Sequence, residues 1–285
     1  MILVDMNQCM ISNLMMQIKV GDKLDESLVR HMVLNSLKSY NRKFREDYGD
    51  MVLCYDSKHY WRKDYFPFYK QNRKKDREKS NHDWNAIFEI LNKIRDEIRD
   101  NFPYIVMEVE GAEADDIISA LCKYQFHCRP NDKILILSGD KDFIQLRKFS
   151  TVTQYNPLQK TFINGHNPIE YIAEHIIKGD RSDGIPNFLS SGDTFVTNKR
   201  QRPISKKNLQ KWIYDDPSVF CNTKEKLDNY ERNRTLIDLE CIPDDLRDKI
   251  LDEFRSLNSN DRTKLSVDYF VEHKLVSLMN NLEDF

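Results

Sequence analysis

Four short apolar runs, at residues 2–4, 51–55, 104–109 and 133–137, are continuous rather than alternating, and acidic residues follow each of them closely. An uninterrupted apolar run suits a strand covered on both faces, as in a parallel sheet. Residues 151–155 are a candidate fifth strand. Between the runs the apolar spacing is helical. Leu28, Met32, Val33, Leu37, Tyr40 and Phe44 form one stripe, and Trp84, Ile87, Phe88, Leu91, Ile94 and Ile98 form another behind an Asp83 cap. A third helix over 114–124 would bury Ile117, Ile118 and Leu121. Alternating strands and helices predict an α/β fold: a mostly parallel central sheet flanked by helices. A fourth helix is expected with Asn167 as cap, Pro168 in its first turn and a stop at Gly179. Beyond it strand signals end, and 227–239 and 246–257 carry helical spacing. The expected division is an α/β core over 1–165 and a helical subdomain over 166–285.

Only eight of the 285 residues are glycine and none forms Gly-x-Gly. That argues against Rossmann and Walker phosphate loops, which need glycines for close approach of backbone amides to phosphate. No apolar run nears the roughly 20 residues that span a bilayer, and the first is cut by Asp5, so neither a membrane helix nor a signal peptide is expected. A cytoplasmic chain with no membrane partner follows. The six cysteines, without a C-x-x-C pair, read as reduced core thiols.

The placement of acids carries the functional signal. Asp5 ends the first run and Asp56 follows the second. Glu113, Asp115 and Asp116 open the helix after the third, Asp140 and Asp142 follow the fourth, and Asp180 and Asp183 follow the fourth helix. In an open parallel sheet the carboxyl ends of the strands form the ligand crevice. About seven carboxylates sharing one pocket would repel one another unless divalent cations neutralised them. Oxygen donors, with no His or Cys at ligand spacing, point to magnesium or manganese. Two such ions would activate water and stabilise the leaving oxygen of a phosphodiester. Any one of these acids serves equally well as a turn former or helix cap; their joint placement carries the metal expectation. A calcium loop starting at Asp180 fails because its twelfth position is Ser191 rather than Glu. The seven histidines show no paired spacing and read as surface or core residues.

Charge is uneven. Residues 58–79 hold nine Lys/Arg against three acids, and residues 194–211 hold six with no acid. The two segments carry +12 in a chain of formal charge -2, which leaves -14 on the remainder. Two basic patches on an acidic body suit a polyanion docking beside an acidic centre, although lysine-rich runs are also ordinary solvated faces. From Tyr60 to Lys75 six aromatic rings interleave with Arg62, Lys63, Lys70, Arg73, Lys74 and Lys75. Rings stack on unpaired bases and cations hold phosphates, so the segment suits single-stranded nucleic acid, its alternative being a packed aromatic helix.

Taken in order, Ile2-Leu3-Val4-Asp5, Tyr55-Asp56, Tyr69-Lys70-x-Asn72-Arg73, Glu113-Ala114-Asp115-Asp116, Ser138-Gly139-Asp140-Lys141-Asp142 and Lys178-Gly179-Asp180-x-x-Asp183 resemble the 5′-nuclease (flap endonuclease) superfamily. The likeness is greatest to its ribonuclease H branch from T-even-type bacteriophages and runs over essentially the whole chain. It implies a PIN-like core and a magnesium-dependent 5′ to 3′ exonuclease and flap endonuclease acting by two metals, with manganese as a substitute. Asp5, Asp56, Glu113, Asp115 and Asp140 would surround the first ion. Asp142, Asp180 and Asp183 would attend the second, and Asp116 would be an outer helper acid. Lys70 and Arg73, with Tyr69 beside them as a stacking candidate, would grip the scissile phosphate from an arch at about 58–82. Residues 169 to about 211 would match the family's helix-three-turn-helix, which grips duplex DNA. There the family's Gly-x-Gly-x-Lys hairpin is replaced by Asn187-Phe188-Leu189-Ser190-Ser191-Gly192-Asp193, and the cations Lys199, Arg200, Arg202, Lys206 and Lys207 would substitute for it. The implied substrates are branched or nicked DNA and RNA:DNA hybrid with a 5′ end or flap. The implied setting is lagging-strand replication in an infected bacterial cell, by a monomer, with a single-strand binding protein and a sliding clamp as candidate partners.

Two rivals remain. A non-catalytic branched-DNA binder would gain nothing from carboxylates that repel phosphate. A small-molecule phosphatase leaves the aromatic segment unexplained, and Asp5-Met6-Asn7 lacks a second Asp after the first strand.

Overall fold

The computed structural model describes residues 1–17, 24–80, 82–259 and 265–285. Its sheet comprises β1 (Ile2–Asp5), β2 (Met51–Tyr55), β3 (Ile105–Glu108), β4 (Ile134–Leu137), β5 (Val152–Asn156) and β6 (Thr161–Phe162), in the order β3-β2-β1-β4-β5-β6. The first five are parallel and β6 runs antiparallel to β5, with Tyr155 opposite Phe162. The fold is therefore the α/β class expected. From β1 the chain builds outward to β2 and β3 on one side, then to β4 and β5 on the other. The order reverses between β1 and β4, and the crevice outside their carboxyl ends is where such sheets bind ligands. Asp5 pairs with Cys54 and Val4 with Leu137, so Asp5, Asp56 and Ser138 emerge at one edge.

The runs are continuously apolar because both faces are covered. Ile2, Val4, Leu53 and Leu137 pack against α1 (Met6–Gln17), α2 (Glu26–Tyr48) and α5 (Trp84–Asn101). Leu3, Val52, Cys54, Ile134 and Ile136 face the other way, against α6 (Ala114–Cys128) and α11 (Asp244–Ser259). The expected caps form: Asp83 accepts from Ala86 N, and Asn167 accepts from Ile169 N and Glu170 N to start α7 (Pro168–Lys178). Gly179, at φ 68, ends α7 where a Cβ would lie 2.4 Å from the Ile185 carbonyl oxygen.

Helix α1 lies outside the sequence expectation, although Met6, Cys9, Met10 and Leu14 are buried at helical spacing. So does a 3₁₀ segment, Lys141–Lys148, since its period of about three gives no clean stripe. The 58–82 segment holds α3 (Trp61–Tyr65) and α4 (Gln71–Lys79). The remaining helices are α8 (Lys206–Trp212), α9 (Pro217–Phe220), α10 (Lys224–Ile237) and α12 (Val267–Glu272). The chain ends against the core, with Phe285 ring centroids 5.3 Å from Phe102 and 5.4 Å from Phe270. All six cysteines are free thiols, but Cys128 is exposed and Cys241 half-buried, so only four are core residues. Among the described residues no helix is long and apolar enough to cross a membrane.

Candidate metal centre and its cationic rim

Asp5, Asp56, Asp115, Asp140, Asp142, Asp180 and Asp183 line one crevice of about 410 Å³ at the carboxyl edge of the sheet. Several are aimed by backbone N–H donors. Asp5 accepts from Gln8 N at 3.1 Å and from Ser138 Oγ at 2.9 Å. Asp56 Oδ1 accepts from Ala114 N, at the start of α6, at 2.8 Å. Asp140 Oδ1 accepts from Asp142 N at 3.0 Å, while Gln154 Nε2 donates to the Asp140 carbonyl at 2.5 Å and pins the strand exit.

The acids fall into two electrostatic groups. Burial, then the charges of Asp56 and Asp140, pushes Asp5 up to about 7. Burial and Asp142 push Asp140 up to about 6, and burial with Asp140 and Asp5 raises Asp115 well above the carboxylate range. Among the described residues none of these three makes an ion pair, and the Lys70 charge only partly offsets the push on Asp115 and Asp140. Across the crevice the acids are paired. Glu113 meets Lys70 Nζ at 2.6 Å, Arg62 Nη1 at 2.9 Å and the Tyr69 hydroxyl at 3.1 Å. Burial opposes its ionisation, but Lys70 and Arg62 hold it below its ordinary value. Asp183 takes Arg73 Nη2 at 2.5 Å and the Tyr69 hydroxyl at 3.0 Å.

Sequence reasoning set the histidines aside, yet His175 in the last turn of α7 stands between two of the acids. Its Nδ1 lies 3.1 Å from Asp142 Oδ1 and its Nε2 3.2 Å from Asp180 Oδ2. Burial would lower its pKa, but the two carboxylates outweigh burial and lift it to about 10. The only available signal was its place on α7 five residues before Asp180. One nitrogen and two carboxylate oxygens of these three side chains lie within 4.8 Å of one another, close enough to hold an ion. A crowded set of oxygen donors with raised protonation is what a hard divalent cation relieves, so the residues present fit such a metal.

Three expectations on residue placement are corrected. Arg62, expected on a nucleic-acid face, is 2% exposed, because its fork finds carboxylates inside. Asp116, expected as an outer helper acid of the metal set, is fully enclosed and holds that fork with both oxygens, so it stands behind the crevice acids and not among them. Tyr69 is 4% exposed with its hydroxyl spanning Glu113 and Asp183, so its ring is not free to stack on a base.

Lys70 and Arg73 do reach the crevice, and they also line a neighbouring cavity of about 760 Å³ with Tyr60, Lys63, Arg77 and Phe88. Lys63 is exposed, its ammonium 4.2 Å from the Tyr60 ring centroid. Lys74 and Lys75 sit on α4, but their side chains lie outside the described set. Lys199, Arg200, Arg202, Lys206 and Lys207 are exposed, and Lys199 pairs with Asp193 at 3.3 Å. Between α7 and α8 the chain forms successive turns, tied where Asn187 N donates to Gln201 Oε1 at 2.6 Å and Asn187 Nδ2 to the Arg202 carbonyl at 2.8 Å.

The profile of the 5′-3′ exonuclease N-terminal resolvase-like domain matches residues 4–175, and that of the T4 RNase H C-terminal region matches 166–285. The chain belongs to the 5′-3′ exonuclease family. It is 34% identical to the ribonuclease H of Enterobacteria phage T4, over 99% of this chain and 95% of that one. A 5′-3′ exonuclease of Buchnera aphidicola is 28% identical over 56% of this chain and 55% of its own. Among solved structures, a bacteriophage T5 flap endonuclease in a pseudo-enzyme–product complex with DNA and metal ions superimposes with a TM-score of 0.64 at 17% identity, covering 91% of this chain and 99% of that one. A zinc-bound T5 5′-exonuclease gives 0.60 at 17% identity, covering 90% and 98%. At that identity the two likenesses speak for the exonuclease fold alone.

Proposed function

We propose that this member of the 5′-3′ exonuclease family is a magnesium-dependent 5′ to 3′ exonuclease and flap endonuclease. It removes RNA primers and adjacent DNA from lagging-strand fragments in the cytoplasm of a phage-infected bacterium. The observation that carries this is the juxtaposition of a seven-carboxylate crevice with an aromatic and cationic cavity that shares Lys70 and Arg73 with it. The names of the phage T4 ribonuclease H and the T5 flap endonuclease support the substrate class: branched or nicked DNA and RNA:DNA hybrid bearing a 5′ end or flap.

Asp5, Asp56, Glu113, Asp115 and Asp140 would hold one magnesium, and Asp142, Asp180 and Asp183, with His175 beside them, a second. When bound, such ions supply charge stabilisation at the attacking and leaving oxygens of a phosphodiester. The chain's own residues do the rest. Lys70 and Arg73, facing both cavities, hold the scissile phosphate and offset the charge that develops on it. The Tyr60 ring, half-buried in the larger cavity, stacks on an unpaired base, and Lys63 and Arg77 hold its backbone. Lys199, Arg200, Arg202, Lys206 and Lys207 grip duplex backbone. Division into a core over 1–165 and a DNA-binding subdomain over 166–285 is supported by the end of the last strand at Phe162, after which the described elements are helical.

The test is cleavage of a 3′-labelled duplex carrying a 5′ flap, with magnesium and with chelator. Metal-dependent product at the junction or from the 5′ end is expected. Binding without product in any divalent metal would leave a non-catalytic branched-DNA protein.

A further inference from the structure

Among the described residues Arg62 is the largest side chain that the fold leaves essentially without solvent exposure. Its Nη1 donates to Asp116 Oδ2 and Glu113 Oε2, both at 2.9 Å, its Nη2 to Asp116 Oδ1 at 2.8 Å, and its Nε to the Leu236 carbonyl at 2.9 Å. Trp61 completes the enclosure: its indole N–H donates to Asp116 Oδ2 at 3.2 Å and its ring lies 4.6 Å from the guanidinium. Asp116 Oδ2 in turn accepts from Glu113 N at 3.0 Å, closing the first turn of α6. Enclosing a guanidinium and two carboxylates is expensive relative to an apolar cluster, so the set is hard to explain by stability alone. What it does hold is geometry. One oxygen of Glu113 is fixed by Arg62 while the other, Oε1, meets Lys70; Asp115, two residues on, lines the crevice.

The Leu236 bond extends the clamp to the helical subdomain. The end of α10 that receives it is also tied to the other acid-bearing loops. Asn233 Nδ2 donates at 2.9 Å to the carbonyls of Ile176 and Pro186, which bracket Asp180 and Asp183. Gln145, in the 3₁₀ segment that begins with Asp142's turn, donates to the Ile237 carbonyl at 3.1 Å and accepts from Leu239 N at 2.9 Å. Three loops that carry the acids thus share one anchor.

The geometry points to Arg62 as a positioning residue of the metal centre, which sets Glu113 and Asp115 against the Asp180–Asp183 loop by locking the start of α6 to the end of α10. This rests on the metal-dependent function proposed above. A planar two-pronged donor is required, because lysine keeps the charge but cannot hold both Asp116 oxygens, Glu113 and the Leu236 carbonyl together.

The test is a titration of Mn²⁺ into full-length protein without DNA, comparing wild type with Arg62→Lys. The expected variant is folded by near-ultraviolet circular dichroism and binds duplex DNA in chelator as wild type does. It binds Mn²⁺ at least about tenfold more weakly, the loss typical when a partner of a metal ligand is removed. Its kcat at saturating DNA falls with KM unchanged, and excess Mn²⁺ recovers part of the loss. Equal Mn²⁺ affinity in the two proteins would overturn the inference, and so would a loss of duplex affinity with a shallower salt dependence, which would make Arg62 a phosphate contact. Wild type that binds no Mn²⁺ would instead refute the metal-dependent function itself. Should Arg62→Lys not fold, Asp116→Asn, which keeps the volume and removes the charge that the fork, the Trp61 indole and the Glu113 N–H all meet, carries the same expectation. Unfolding of both would overturn the inference by reducing the pair to a stability element.

Discussion

The backbone N–H of Lys70 donates to the carbonyl oxygen of Asp183 at 2.7 Å, and the Lys70 ammonium lies 3.7 Å from Oδ2 of the same residue. The turn that opens α4 and the loop bearing the last carboxylate are therefore joined through main chain as well as through charge. Lys70 sits in the left-handed region, at φ 54, a conformation that the junction imposes on a side chain that must face the crevice.

Gly184 makes that approach sterically possible. It has φ 75, and a Cβ there would lie 3.0 Å from the Phe68 carbonyl oxygen. Gly184→Ala is expected to cost about 1–3 kcal/mol of stability, from backbone strain and crowding together. Urea denaturation measures it, with a parallel fall in flap cleavage; an Ala variant of wild-type stability and rate would show that the junction tolerates displacement.

Lys70→Ala removes a cation that faces the crevice and is held there by Glu113. Cleavage is expected to slow by about a hundredfold or more, the scale for losing one group that stabilises transition-state charge. Duplex affinity in chelator should change little. Comparable losses in both assays would make Lys70 an anchor for DNA rather than a participant in chemistry.

Asp5 and Asp140 tie stability to pH. In the folded, metal-free protein they titrate at about 7 and about 6, against about 3.9 for an unfolded Asp. The folded state thus binds more protons between these values, and both groups weaken the fold progressively as pH rises from about 4 to about 7. Asp5→Asn removes its share, so in chelator the variant should exceed wild type by about 1–4 kcal/mol at pH 8 and by far less at pH 4. Thermal melts at the two pH values measure the difference, and saturating magnesium should erase it. Asp140→Asn should abolish cleavage while the protein stays folded; an active Asn variant would remove Asp140 from the metal centre.

His175 stabilises the folded state where those two acids destabilise it, but its raised pKa makes stability fall with rising pH just as theirs does. Its folded value of about 10 lies above the ordinary 6.5, so its stabilisation is complete below about pH 6.5 and lost as pH rises through 10. His175→Ala should cost about 1.5–3 kcal/mol at pH 7 in chelator, the range for hydrogen bonds to charged groups. Denaturant titration tests this, and the deficit should narrow when magnesium neutralises Asp142 and Asp180.

Phe285 packs against Phe102 and Phe270, and Asn41 Nδ2 holds the carbonyls of Asp284 and Phe285 at 2.9 and 3.1 Å. Phe285→Ala is expected to cost about 3–5 kcal/mol, as for other buried phenylalanines. Urea unfolding measures the cost. A variant of unchanged stability would mean that the C-terminus does not hold the core.

Periodicity and punctuation suffice for the five parallel strands, for the caps at Asp83 and Asn167 and for the stop at Gly179, because those signals are local: a strand covered on both faces must be continuously apolar, and a cap acts on the next turn. The same locality explains why Asp5, Asp56, Asp140 and Asp142 can be grouped by their positions in the chain. They leave neighbouring parallel strands at one edge, so once the sheet order is a doubly wound one their convergence follows.

Long-range pairing has no such local mark. Nothing in Tyr60-Trp61-Arg62-Lys63 separates an exposed cation from an enclosed one; Arg62 is inside because the opening turn of α6, 51 and 54 residues later, and the end of α10, 174 residues later, meet it there. His175 lacks any motif because its partners, Asp142 and Asp180, come from two different loops. The chain's local chemistry decides which elements form and where acids leave them. Which charge each acid faces depends on loops distant in sequence meeting in space, and burial at that meeting point turns a row of carboxylates into one raised, repelling set and one neutralised by Lys70, Arg73, Arg62 and His175.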